Sequence, residues 1–180
     1  MPLTPRTGLH RGPGSLWRVD LLPFDEYVRS LNRKRMSAGV LFRDSAGRVL
    51  LVEPSYKPHW DIPGGAVEAD EPPWRTATRE VREELGIDHP LGALLVVDYM
   101  PAEGRMPEGV AFIFDGGLVT EAEVAALVLT DPEILSAGLH SLTELAEKVK
   151  PTLARRLGVA LQAAVSGTLA LCEDGKRVAG

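Results

Sequence analysis

The sequence predicts an α/β protein in which a mixed sheet is covered by helices, and three observations carry that prediction. Apolar runs at Ala38 to Phe42 and Val49 to Val52 flank the turn-rich Arg43-Asp44-Ser45-Ala46-Gly47, a hairpin pattern. Pro72 to Leu85 has helical periodicity, with prolines at its start and Gly86 at its end. Further strand and helix patterns follow without strict alternation, which favours a mixed sheet over a parallel one.

Taken in order, Met1 to Ser15 is rich in proline and glycine and reads as a flexible arm, so the expected organisation is an arm over 1–15 and one domain over 16–180. Trp17 to Leu22 reads as a short strand, and Phe24 to Leu31 as a helix presenting Phe24, Tyr27, Val28 and Leu31 on one face. Arg33, Lys34 and Arg35 read as cations near that helix's end, with a phosphate-binding patch as the other reading of the same trio. Pro54 to Gly65 reads as a loop. Strands are predicted near 93–100 and 110–114, joined by a loop over 101–107, with a short helix near 121–126. A last strand at 135–139 precedes helices at 142–148 and 151–165, the second with Leu153, Leu157, Leu161 and Ala164 on one face.

Composition narrows the function. A chain of 180 residues buries enough surface to fold without a disulfide or metal staple, and its single cysteine fits a reducing cytoplasm. No segment approaches the 18 apolar residues of a membrane span, so no membrane role is expected. The net charge of −5 gives no general attraction to a nucleic-acid backbone, so no extended nucleic acid is expected as a partner. An acidic protein acting on an anionic substrate needs a cation between the two.

The helix over 72–85 supplies a candidate place for one. At 100° per residue, Trp74, Ala77, Val81 and Leu85 form one stripe, and Glu80, Glu83 and Glu84 gather on another. Three carboxylates at these spacings repel one another by a few tenths of a kcal/mol per pair unless cations neutralise them. A hard divalent ion such as Mg²⁺, which prefers oxygen ligands, would do so. A solvated acidic face balanced by Arg75, Arg79 and Arg82 is the other reading of the same residues.

The surrounding residues resemble the Nudix box, G-x5-E-x7-R-E-U-x-E-E-x-G-U with U aliphatic, through Gly65, Glu71, Arg79, Glu80, Val81, Glu83, Glu84, Gly86 and Ile87. No position departs from the pattern, and a chance match at a given start arises on the order of once in 10⁹. Trp60-Asp61-Ile62-Pro63-Gly64-Gly65 before the box and Asp131-Pro132-Glu133 after it are similar to the flanking segments of that family.

The resemblance implies an α/β/α sandwich and hydrolysis of a phosphoanhydride in a nucleoside diphosphate linked to another moiety, X, such as ADP-ribose or a nucleotide sugar. It implies Mg²⁺ or Mn²⁺ as cofactor. Glu83 and Glu84 would be metal ligands, with Glu80 a further ligand or the base that orients water. The Gly64 carbonyl and Glu133 would be additional ligands, and Arg79 and Glu71 would support the carboxylates. Glu103 and Glu108, beside the 101–107 loop, are the alternative source of a base. Tyr56, Trp60 and Arg105 are the candidates for substrate binding; Phe112 and Trp60 also fit a packing role. The expected partner is a small nucleotide, and the family's habits admit a homodimer. A non-catalytic nucleotide sensor and a housecleaning pyrophosphatase acting on modified nucleoside triphosphates remain as alternatives.

Overall fold

The computed structural model describes Leu9–Arg11, Trp17–Val19 and residues 21–180. The chain divides into two units, Met1–Arg33 and Lys34–Gly180. In the first, strands β1 (Leu9–Arg11) and β2 (Trp17–Val19) pair antiparallel, and helix α1 spans Phe24–Ser30. The rest of the expected arm over 1–15 lies outside the described residues.

The second unit is built on a mixed sheet. Its strands are β3 (Arg35–Arg43), β4 (Val49–Pro54), β5 (Gly64–Ala66), β6 (Leu94–Met100), β7 (Gly109–Leu118), β8 (Ile134–His140), β9 (Ala170–Glu173) and β10 (Lys176–Ala179). The order is β10-β9-β6-β7-β3-β4-β8, with β5 added beside β3. Pairs β3/β7 and β6/β9 are parallel and the other pairs antiparallel.

Alternation along the central strands divides the core in two. Leu41, Val49, Leu51, Leu95 and Ile113 face one layer, where Leu145 of α4 (Leu142–Lys148) and Leu153, Leu157, Ala160 and Ala163 of α5 (Pro151–Ser166) meet them. Val40, Phe42, Leu50 and Val52 face the other, against Ala77, Val81 and Leu85 of α2 (Pro73–Leu85). Each fully buried Leu or Val contributes roughly 1.5 to 3 kcal/mol, so the sheet is held from both sides, as a sandwich requires. The remaining helix, α3 (Glu121–Ala125), is closed by a capping box between Thr120 and Glu123.

Two features of the hairpin position the site. At its closed end Asp44 accepts from the backbone N–H groups of Ala46 and Arg48 and from the Arg48 side chain, fixing the turn. At its open end β3 and β4 part. Residues 61–63 fill the gap, with Val52 and Asp61 exchanging backbone hydrogen bonds and Val40 N–H donating to the Pro63 carbonyl. The chain then continues as β5 and delivers Gly64 and Gly65 to the start of the box.

Several local expectations need correction. Gly64–Ala66 is a strand, not the end of a loop. Trp74 is 58% exposed and is not part of the apolar stripe; Thr76 is buried in that turn, its hydroxyl donating to Glu71 at 2.7 Å. A terminal hairpin, β9 and β10, follows α5 and was not anticipated by the sequence pattern.

Candidate active site

Helix α2 carries the box, and its ends are set by backbone chemistry. Pro73 occupies the first turn, where a missing N–H is harmless, and Gly86 caps the C-terminus in the left-handed conformation with φ 69°. Between these ends Arg79 is the organising side chain. Its Nε and Nη2 each donate to Glu71 at 3.0 Å, and its Nη1 donates to Glu80 at 2.8 Å and to Glu83 at 2.9 Å. Arg79 and the Thr76 hydroxyl hold the Glu71 carboxyl down at about 2, so Glu71 is a fixed anion at any ordinary pH.

Glu84 has the opposite environment. It is buried, makes no ion pair among the described residues, and accepts one hydrogen bond, from Gly64 N–H at 2.9 Å. Burial raises its carboxyl to about 8 against the pull of that N–H, and the charges of Glu80, Asp61 and Asp131 add to the rise. Burial likewise raises Glu80, with Arg79 opposing. Glu83 is exposed apart from its contact with Arg79.

The glycines preceding the helix allow this close approach. A Cβ on Gly65 would stand 2.3 Å from Glu80 Oε1, and one on Gly64, whose φ is +151°, would meet the Ala38 carbonyl oxygen at 2.4 Å. Glycine at 65 therefore lets the β5 backbone lie directly against the Glu80 carboxylate, and glycine at 64 lets β5 pack against the β3 backbone.

In the present side-chain arrangement, no three Asp, Glu, His or Cys groups among the described residues converge on one metal position. Arg79 occupies the ground between Glu71, Glu80 and Glu83. The donor set nevertheless suits a hard cation: oxygen atoms of Glu80, Glu83 and Glu84 share one side of α2, and Glu84 is a buried carboxyl that makes no ion pair among the described residues, Lys57 acting on it only through space.

Beside this face lies a cleft of about 430 Å³, lined by Gly64, Gly65, Tyr56, Trp60 and Asp61 at one side and by β6, β7 and the start of α5 at the other. Trp60 is both wall and packing. Its ring touches the first core layer, meets the His140 ring edge-on at 4.9 Å, and has Lys148 Nζ 4.0 Å from its centroid. Tyr56 is exposed at the rim, with Lys57 over its ring.

The other sequence candidates fall elsewhere. Arg105 is exposed and does not line the cleft. Glu133 is exposed, its N–H bound to the Asp131 carboxylate, and it is Asp131 whose charge reaches Glu84. Glu103 lines the cleft, whereas Glu108 is engaged by Lys34 and by the Tyr99 hydroxyl. The contact of Gly64 with Glu84 runs through its N–H. Asp61, not among the sequence candidates, is one of the acidic groups whose charge acts on Glu84; its place inside the tryptophan-to-glycine segment, four residues before Gly65, is the sequence signal for it.

Residues 33–160 match the NUDIX domain family model. The chain belongs to the Nudix hydrolase family. Over 64 residues it is 45% identical to diphosphoinositol polyphosphate phosphohydrolase 2 of Rattus norvegicus, a match spanning 34% of this chain and 36% of that protein. The chain thus covers little more than a third of that relative's length. The MutT protein of Methanosarcina mazei Go1 superposes with a TM-score of 0.58 at 25% identity, covering 77% of this chain and 99% of that one. An ADP-ribose pyrophosphatase of Streptococcus suis 89-1591 shares the fold at a TM-score of 0.56 and 18% identity, over 78% of this chain and 99% of its own. Among the described residues no helix is long and apolar enough to cross a membrane.

Proposed function

We propose that the protein hydrolyses a phosphoanhydride bond in a nucleoside diphosphate linked to a second moiety, with a divalent cation, Mg²⁺ or Mn²⁺, as cofactor. The observation that carries this reading is Glu84, a buried carboxyl raised to about 8 with no ion pair among the described residues, which accepts from Gly64 N–H where Gly64 and Gly65 line a substrate-sized cleft. The intact Nudix box, the fold shared with an ADP-ribose pyrophosphatase and the named activity of the phosphohydrolase relative all support it.

Glu83 and Glu84 would hold the cation, with Glu80 either a third ligand or the group that orients water. The bound ion would neutralise phosphate oxygens and lower the pKa of water at the site. Arg79 fixes where the carboxylates point, and Glu71 fixes Arg79. The Gly64 carbonyl is a candidate backbone ligand. Trp60 and Tyr56 present aromatic surface to a base or to X at the cleft wall and rim.

The test is incubation with Mg²⁺ or Mn²⁺ and ADP-ribose, a nucleotide sugar, a dinucleoside polyphosphate or a modified nucleoside triphosphate, with products identified by mass. Cleavage at a phosphoanhydride, abolished by EDTA and by Glu83→Gln and Glu84→Gln, is the expected result. Nucleotide binding without turnover of any substrate would overturn the reading in favour of a sensor.

A further inference from the structure

The wall of the cleft that carries Gly64 and Gly65 also carries Tyr56, Lys57 and Asp61, from the segment joining β4 to β5. Backbone bonds pin that segment at both ends. Ser55 N–H donates to the Glu133 carbonyl at 2.7 Å, Trp60 N–H donates to the Lys148 carbonyl at 3.1 Å, and Asp61 exchanges backbone hydrogen bonds with Val52. Pro58 further restricts the backbone of Lys57, the residue before it. A lysine on such a frame presents its ammonium from a fixed origin, so less order is lost when it takes a ligand.

The ammonium is held as well. Asp61 Oδ1 accepts from Ile62 N–H at 3.0 Å, which orients the carboxylate, and Oδ2 accepts from Lys57 Nζ at 2.8 Å. Nζ also lies 5.4 Å from the centroid of the Tyr56 ring. An ammonium has three N–H donors; Asp61 uses one, and Nζ makes no other hydrogen bond among the described residues. Both members of the pair are about one-third exposed, so solvent screens it and it adds little to the stability of the fold. Burial opposes the Lys57 charge, but Asp61, Tyr56 and Glu84 outweigh it and raise the pKa, so Lys57 is a permanent cation within the field of Glu84.

Other cations lining the cleft are placed or spent differently. Arg35 donates through Nε to the Pro107 carbonyl, Arg156 is buried on Asp98, and Lys150 stands at the start of α5. Lys57 is the cation that shares a wall with Gly64 and Gly65. A compact ammonium with two donors to spare suits a phosphate oxygen, which it binds as a point charge.

We propose that Lys57 is a substrate contact whose two remaining N–H donors bind a non-bridging oxygen of the diphosphate, while Asp61 keeps the ammonium at the cleft wall. The contact rests on the hydrolase reading for its substrate; binding of a diphosphate as such does not.

The test uses the full chain with Mg²⁺ and imidodiphosphate, which carries both phosphates and neither a nucleoside nor X, with binding followed by ¹⁵N NMR. Saturable shifts at Lys57 and Asp61 are expected in the parent. Lys57→Gln and Lys57→Ala, at a part-exposed position with one side-chain bond, should stay folded by circular dichroism and bind at least about tenfold more weakly. Lys150→Gln removes the same charge elsewhere in the cleft and should bind within about twofold of the parent. On a substrate that the parent cleaves, Lys57→Gln should raise KM at least about tenfold and change kcat less than about threefold, the mark of a contact made equally before and during the reaction.

A parent that does not bind imidodiphosphate, a Lys57→Gln variant that binds it like the parent, or a Lys150→Gln variant weakened to the same extent would each overturn the contact. Hydrolysis that Lys57→Gln leaves unchanged would refute the contact and leave the hydrolase reading standing. Binding that depends on Lys57 in a chain that hydrolyses nothing would do the reverse.

Discussion

Replacing Glu84 by glutamine should stabilise the metal-free protein at alkaline pH while abolishing hydrolysis. Burial places the Glu84 carboxyl at about 8 in the folded protein, against an ordinary value of 4.5. Because the folded value is the higher one, the proton on Glu84 stabilises the fold fully below pH 4.5, and that contribution is lost as pH rises through about 8. Each unit of difference is worth about 1.4 kcal/mol, so between pH 5 and pH 8 the parent should lose about 3 kcal/mol that a glutamine at this position does not lose. Glutamine keeps an oxygen to accept from Gly64 N–H and cannot ionise. Urea unfolding of both proteins in EDTA at pH 5 and pH 8 reads the difference directly, since every other titrating group is shared. Saturating Mg²⁺ at pH 8 should then restore stability to the parent alone, by about 2.7 kcal/mol at a hundredfold excess over Kd. Parallel pH dependence in parent and variant would refute the assignment of Glu84 as a carboxyl held without a cation.

Arg79→Lys keeps the positive charge but not the fork that bridges Glu71, Glu80 and Glu83, so kcat should fall about ten- to hundredfold with little change in Tm; unchanged steady-state rates would contradict the bridging role. Gly65→Ala and Gly64→Ala should separate cleanly. In the first the new methyl meets the movable end of Glu80, so circular dichroism should show a folded protein with depressed kcat; in the second it meets backbone at 2.4 Å and φ is +151°, so thermal unfolding should reveal a large loss of stability. Leu157→Ala, at a fully buried position between α5 and the sheet, should cost about 2 to 5 kcal/mol in urea unfolding, and a smaller loss would place α5 outside the cooperative core.

What the sequence disclosed follows from how local its signals are. Helix α2 and the strands flanking the Asp44 turn were legible because periodicity, prolines and a terminal glycine all lie within the element itself. Strand β5 was not, since Gly64–Ala66 has no periodicity and becomes a strand only by pairing with Ser37 to Gly39. The β9/β10 hairpin joins two four-residue strands, one wholly exposed, around Asp174-Gly175, a turn dipeptide flanked by strands too short to show periodicity. Trp74 obeys the helical spacing of its stripe but sits at the helix start, where it stays exposed. The box residues of the site could be read from their spacing. Asp131 could not be placed near Glu84, nor Arg156 on Asp98, because those contacts join segments far apart in the chain.

The charges within the box explain why such a motif calls for something from outside the chain. One guanidinium, Arg79, serves three carboxylates, and its strongest engagement, through two nitrogens, is with Glu71. Glu71 is thereby held at about 2 while Glu84, the residue after Glu83 and not bonded to Arg79, is driven to about 8. Two carboxyls of one motif, pushed in opposite directions by their surroundings, would on the proposed reading have different work: the first a permanent anion that orients Arg79, the second a carboxyl that would ionise readily only when a cation arrives. A further arginine beside Glu84 would relieve the burial penalty and stabilise the fold, but it would also fill the place a divalent ion needs. The Gly64 N–H orients Glu84 without neutralising it, and on the proposed reading would leave the carboxyl available to a cation presented with the substrate's phosphates.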